Sequence, residues 1–190
     1  MALRIPVLLA EVKNLSDARY GAGMGVEMMS FTFERSQASQ IELALFKDIV
    51  GWIAGVKLVG DFGNEALPYV EEMLAEIPFD YVITENTAVA EALVQNGKAV
   101  IWKTTTPENL FPAAAYQWLD IPSLPVAEVP SSAQNILFGG QISTENLAEI
   151  EQHSVIKGLV LKGSEEIRPG YKDYDQLADI LEALEVDAPY

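Results

Sequence analysis

Among the 190 residues there is no cysteine, which excludes disulfides and all thiol chemistry and leaves the redox compartment open. A single histidine, His153, excludes a histidine-rich metal site. It falls near the end of an expected helix, where a surface role facing the helix dipole suits it better than catalysis. Positive charge is also scarce: 12 Lys and Arg stand against 28 Asp and Glu, for a net charge of −16. That balance argues against nucleic acid and anionic membranes as partners. No apolar run approaches the roughly 18 uncharged residues of a membrane helix. The opening MALRIPVLLAEV has no small-residue cleavage site and reads as a first strand, not a secretion signal. The acid excess then suits solubility, and a cytoplasmic location is expected. Neither a cofactor nor a metal is called for.

What is present is a core-forming chain, 49% apolar, sized for one domain spanning 1–190. Its strands are short, nearly continuous apolar runs: Ile5–Ala10, Val26–Phe33, Val56–Phe62, Tyr81–Thr84, Ala99–Lys103, Tyr116–Ile121, Asn135–Phe138 and Ile156–Leu161. Between them lie helical patterns. One opens at Asn14, one spans Ile41–Ile53, one starts at Asn64 with Pro68 in its first turns, and one covers Thr87–Gln95. A short helical piece is expected near Pro107–Ala115, a helix capped by Ser143 follows strand seven, and Tyr174–Leu184 closes the chain. Buried strands alternating with helices belong to parallel sheets, and eight such units close into a compact (β/α)8 barrel.

Between strands six and seven, PSLPVAEVPSSA (122–133) holds three prolines and almost no helical pattern, so the sixth outer helix is expected to be reduced or missing. An uncovered wall on the strand five to seven side would invite a homo-oligomer contact; a loop covering the strands itself is the alternative.

Strands seven and eight end in glycine turns, Gly139-Gly140 and Lys162-Gly163-Ser164. Free backbone N–H groups there suit an anion, a phosphate above all, on the face that carries the active site of a parallel barrel. Cations available to such a ligand are few: Lys13, Arg19, Lys57, Lys103, Lys162, Arg168 and Lys172.

Five segments, in order, resemble phosphoribosylanthranilate isomerase. Asn14-Leu15-Ser16-Asp17-Ala18 is similar to the family's Asn-Leu-Glu-Asp-Ala, and Val59 to Glu65 (VGDFGNE) to its Val-Gly-Val-Phe-Val-Asn-Glu. Trp118-Leu119-Asp120 resembles Leu-Leu-Asp, Gly139-Gly140 with Thr144-Glu145-Asn146 resembles Gly-Gly-Leu-Thr-Pro-Glu-Asn, and Pro169-Gly170-Tyr171-Lys172-Asp173 resembles Pro-Gly-x-Lys-Asp. The resemblance implies a (β/α)8 barrel and an Amadori isomerisation of phosphoribosylanthranilate in tryptophan biosynthesis, or a diverged or lost version of it. That reaction needs a general acid for the ribose ring oxygen and a general base for the C2′ proton. Asp120 stands at the family's acid position. The cysteine base of its Lys-Ile-Cys-Gly is replaced within Leu8-Leu9-Ala10-Glu11 by Ala10, which cannot take a proton. Glu11, one residue on, substitutes only if the strand end turns it inward, because neighbouring strand side chains face opposite ways. Glu85 is a second replacement candidate.

The family's glycine-rich segment after strand six is absent, and its Ser-x-Arg after strand two has no clear counterpart. On the phosphate side the candidates are Gly139, Gly140, Lys162, Gly163 and Ser164. A small phosphorylated metabolite is the expected partner. The alternatives to an isomerase are a non-catalytic barrel binding a phosphorylated ligand or a protein, and a barrel enzyme with another substrate.

Overall fold

The structure, a computed structural model, describes residues 2–162, 166–168, 171–172 and 175–186. Eight parallel strands close a barrel: β1 (Val7–Ala10), β2 (Met28–Thr32), β3 (Lys57–Asp61), β4 (Tyr81–Thr84), β5 (Val100–Thr104), β6 (Tyr116–Leu119), β7 (Ile136–Phe138) and β8 (Ile156–Lys162). Closure comes from β1 pairing with β8, Leu8 opposite Val160 and Ala10 opposite Lys162. The helices are α1 (Leu15–Gly23), α2 (Leu43–Val50), α3 (Leu67–Glu76), α4 (Thr87–Gln95), α5 (Leu147–Gln152) and α6 (Asp175–Ala183). A small hairpin, β9 (Glu166–Arg168) with β10 (Tyr171–Lys172), lies between β8 and α6 and was not expected from sequence. No helix among the described residues is long and apolar enough to cross a membrane.

Alternation sorts the strand residues into two cores. Leu8, Ala10, Met28, Val59, Ile83, Ile101, Trp118, Leu137 and Val160 fill the barrel interior. The other set, including Leu9, Phe31, Phe138 and Leu159, packs outward with the helices. Both faces of each strand are thus buried, which is why the strands read as unbroken apolar runs.

Several expectations need correction. The helical piece near Pro107–Ala115 is a chain of turns. Pro107 and Pro112 lack N–H donors and push their preceding residues out of the helical region. Gln117 stabilises the alternative: its side-chain carbonyl accepts the Phe111 N–H at 2.8 Å, and its amide donates to the Phe111 carbonyl at 2.6 Å. Ser143 does not cap α5; the cap is Asn146, whose Oδ1 instead accepts the Ser143 N–H in the preceding turn. Helix α3 starts at Leu67 rather than Asn64, with Pro68 in its first turn. The β6–β7 connection carries only a single 3-10 turn, Val126–Glu128, in keeping with the missing sixth helix. Its wall is nonetheless covered, because that loop buries Leu124, Val126, Val129 and Ala133 in the outer core. The alternative of a loop that covers the strands itself therefore holds on this side, and among the described residues the exposed large apolar side chains are Leu45, Trp52 and Val186.

Candidate active site

The period of two that builds the bore also builds its mouth. In β3, Val59 faces inward, so Asp61 does too, one step nearer the C-terminal end. The same step leads from Ile83 to Glu85, from Ile101 to Lys103, from Trp118 to Asp120 and from Val160 to Lys162. Five charged side chains from five strands therefore converge where barrel enzymes place their chemistry.

Lys103 Nζ lies 3.8 Å from Asp61, 3.4 Å from Glu85 and 3.7 Å from Asp120. Lys162 Nζ lies 3.3 Å from Asp120 and 2.9 Å from Glu11. Beneath them the fully buried Trp118 forms the floor, its ring centre 4.7 Å from the Lys103 ammonium and 5.5 Å from that of Lys162. Its indole N–H has no hydrogen-bond partner among the described residues.

Glu11 enters this network because its backbone leaves the strand. Its φ of 59° lies in the left-handed region, which costs a non-glycine residue about 1–2 kcal/mol. The bend is held from outside: the Glu11 N–H donates to Ser30 Oγ at 3.2 Å, and the next N–H, of Val12, donates to the Ser30 carbonyl at 2.9 Å. Val12 takes the buried position that Glu11 vacates. The carboxylate is thereby brought into the mouth, bridged to Asp120 by one lysine.

Asp61 is 3% exposed, and burial pushes its carboxyl pKa up to about 6. Lys103 and the Gly63 N–H oppose that rise, whereas Glu85 and Glu34 add to it. For Lys103, burial acts to lower the pKa, but Asp61, Glu85 and Asp120 outweigh it and hold the ammonium above its ordinary value. Glu34, itself buried, folds its carboxylate against Gly63, whose φ of 46° and missing Cβ leave room for it.

A cavity of about 380 Å³ opens beside the mouth, lined by Trp118, Asp120, Gly139, Gly140, Lys162 and the α6 residue Leu177 among others. Four of the expected site residues thus meet at one cavity, and Glu11 reaches it through Lys162. The two glycines differ in what they offer. The Gly139 N–H is already given to the Leu119 carbonyl at 3.0 Å, so it is not free for an anion. Gly139 contributes space instead, since a Cβ there would lie 2.7 Å from Trp118 Nε1 and 2.8 Å from the Leu119 carbonyl oxygen. The Gly140 N–H has no partner among the described residues. Gly163 and Ser164, and the side chains of Arg168 and Lys172, lie outside the described residues. Asp61 was missed in the sequence; its signal is its place two residues beyond the inward Val59. No group of His, Asp and Glu fit to hold a metal occurs among the described residues.

The chain matches no protein-family model and no curated protein. Its likeness is to solved structures. Phosphoribosyl anthranilate isomerase from Thermus thermophilus aligns at a TM-score of 0.77 and 19% identity, over 95% of this chain and 98% of that one. A phosphoribosyl anthranilate isomerase in complex with reduced 1-(o-carboxyphenylamino)-1-deoxyribulose 5-phosphate gives 0.75 and 18%, with the same coverage. TrpF from Jonesia denitrificans gives 0.74 and 10%, over 95% and 96%. Identities this low establish a shared barrel architecture along the whole chain and leave the chemistry to the site itself.

Proposed function

We propose that this barrel isomerises a phosphorylated N-ribosyl amine by acid–base chemistry, with phosphoribosylanthranilate as the reference substrate. Asp120, beside the Lys162 ammonium, protonates the ribose ring oxygen as the C1′–O bond breaks. Glu11 takes the C2′ proton from the resulting iminium. The enolamine then takes the proton held by Glu11 onto C1′ and gives its C2′ hydroxyl proton back to Asp120, leaving the aminoketose and both carboxyl groups as they began, so no co-reactant is consumed. The observation that carries this reading is the left-handed backbone at Glu11, which brings a carboxylate to within one lysine of Asp120 although Ala10 has replaced the resembled family's base. Backbone held in that region at a non-glycine residue is common where a site demands it. For the phosphate end, Lys162 and the Gly140 N–H at the cavity are the proposed donors, together with Gly163 and Ser164.

The second reading, a barrel that binds a phosphorylated ligand without turning it over, is favoured by one feature. The residue at the resembled family's base position is Ala10, which cannot take a proton. The deciding measurement is turnover of phosphoribosylanthranilate, followed as loss of substrate fluorescence, in the natural protein, Asp120→Asn and Glu11→Gln. Turnover lost by about a hundredfold or more in both variants supports the roles given. Equal turnover in Glu11→Gln refutes the relocated base, and no turnover by the natural protein leaves the binding reading.

A further inference from the structure

Lys103 has no task in the chemistry proposed above, yet among the described residues it is the charge with the most ion-pair partners. Its side chain is 15% exposed, and its ammonium meets carboxylates from three different strands and the face of Trp118. A largely buried ammonium is costly to place unless its partners compensate it. Here the partners are unequal. Asp61 is sealed off at 3% exposure and cannot touch a substrate, whereas Asp120 lines the open cavity.

We infer that Lys103 is a positioning residue that holds Asp120 in the mouth by binding it in the same cation shell as Asp61 and Glu85, so that the charge state of buried Asp61 is felt at Asp120. The functional consequence rests on the reading of Asp120 as the acid; the coupling itself does not.

The direction follows from the neighbours. Asp61 faces Lys103, the Gly63 N–H, Glu85 and Glu34, and it titrates near pH 6. Asp120 faces Lys103 and Lys162, and Lys162 also faces Glu11. Once Asp61 takes a proton, the Lys103 ammonium is left to Glu85 and Asp120 alone and binds Asp120 more closely. Above that pH, Asp61 draws it back. Asp61 thus acts on the mouth without ever meeting the ligand.

The test is a carboxyl and lysine ¹³C NMR titration between pH 5 and 8 on the natural protein, Lys103→Met and Lys103→Arg, with turnover measured on the same samples. In the natural protein the Lys103 Cε signal should inflect at the Asp61 midpoint, near pH 6. In Lys103→Met the Asp61 midpoint should climb by about one to three pH units, because an opposite charge within contact range is gone. Lys103→Arg should restore most of it. Where turnover exists, Lys103→Met should lower kcat by about tenfold or more with KM little changed, and its acid limb should move with Asp61. A lysine that only packed against Trp118, without electrostatic contact to Asp61, would move neither the Asp61 midpoint nor the acid limb. A flat Lys103 signal through pH 6, or an unmoved Asp61 midpoint in folded Lys103→Met, overturns the inference. If Lys103→Met does not fold, the natural protein's titration decides alone. Coupled titrations without turnover uphold the brace and defeat the isomerase reading; turnover with uncoupled titrations does the reverse.

Discussion

Asp61→Asn should make the protein more stable near neutral pH, by an amount that grows as pH rises. The reason is linkage. The buried carboxyl holds its proton up to about pH 6, against an ordinary value of 3.8. In the window between those values the folded state binds more protons than the unfolded one, so stability falls as pH rises through it. Below 3.8 both states are protonated and the penalty vanishes; above 6 it is complete. At about 1.4 kcal/mol per pH unit, the penalty amounts to about 2 kcal/mol at pH 5 and about 3 kcal/mol at pH 7.5. Asparagine is close in shape, and its Oδ1 can still accept the Gly63 N–H that Asp61 accepts at 3.1 Å.

The difference between variant and natural protein reports Asp61 and the groups coupled to it through Lys103, because every titrating pair outside that cluster is common to both. The assay is urea unfolding at pH 5, 6, 7 and 7.5, kept above the sequence pI of about 4.3 to avoid precipitation. The advantage of Asp61→Asn should widen by about 1 kcal/mol from pH 5 to pH 7.5. Parallel stability curves, or an advantage that shrinks with pH, would refute a buried, proton-retaining Asp61. A pH-independent offset superimposed on a widening advantage is compatible with it, since that part reports the lost Lys103 contact at 3.8 Å rather than the proton.

Gln117→Ala leaves both the Phe111 N–H and carbonyl without their partner and should cost about 1–3 kcal/mol, seen as a lower Tm and faster amide exchange at Phe111. An unchanged exchange rate there would mean that the β5–β6 turns do not depend on it. Gly140→Ala places a methyl group against the Phe138 ring and the Leu124 carbonyl and should cost about 1–3 kcal/mol by urea unfolding. Unaltered stability would show that the turn can shift to make room. Glu11→Gly should do the opposite, raising stability by about 1 kcal/mol as the left-handed residue loses its Cβ, while turnover is lost. A destabilised Glu11→Gly would mean that the ion pair with Lys162 outweighs the backbone strain.

How much of this molecule its sequence discloses depends on whether the information is local. The eight strands are legible because burial on both faces forces unbroken apolar runs, and the missing sixth helix is legible because three prolines forbid it. The helix expected between β5 and β6 fails for a local reason that the sequence shows, Pro107 and Pro112 within the segment, and for one just outside it: Gln117 offers the Phe111 backbone two hydrogen bonds that a helix would have had to replace. Most of the mouth was within reach of the sequence, since Asp61, Glu85, Lys103, Asp120 and Lys162 each stand two residues past an inward apolar side chain.

Glu11 is different in kind. Strict alternation after Ala10 turns it toward the helices, and glutamate carries no mark of a left-handed backbone. What reverses it is a competition between neighbours for one outward site. Val12 is 1% exposed and Glu11 is charged, so burying valine and freeing glutamate is favoured over the reverse by more than the strain costs. Ser30 then secures the result by accepting both N–H groups, one on its hydroxyl and one on its carbonyl. The residue pair Glu11-Val12 and the distant Ser30 must be read together for the bend to appear. A side chain placed by such a bargain is invisible to any reading that takes the strand alone.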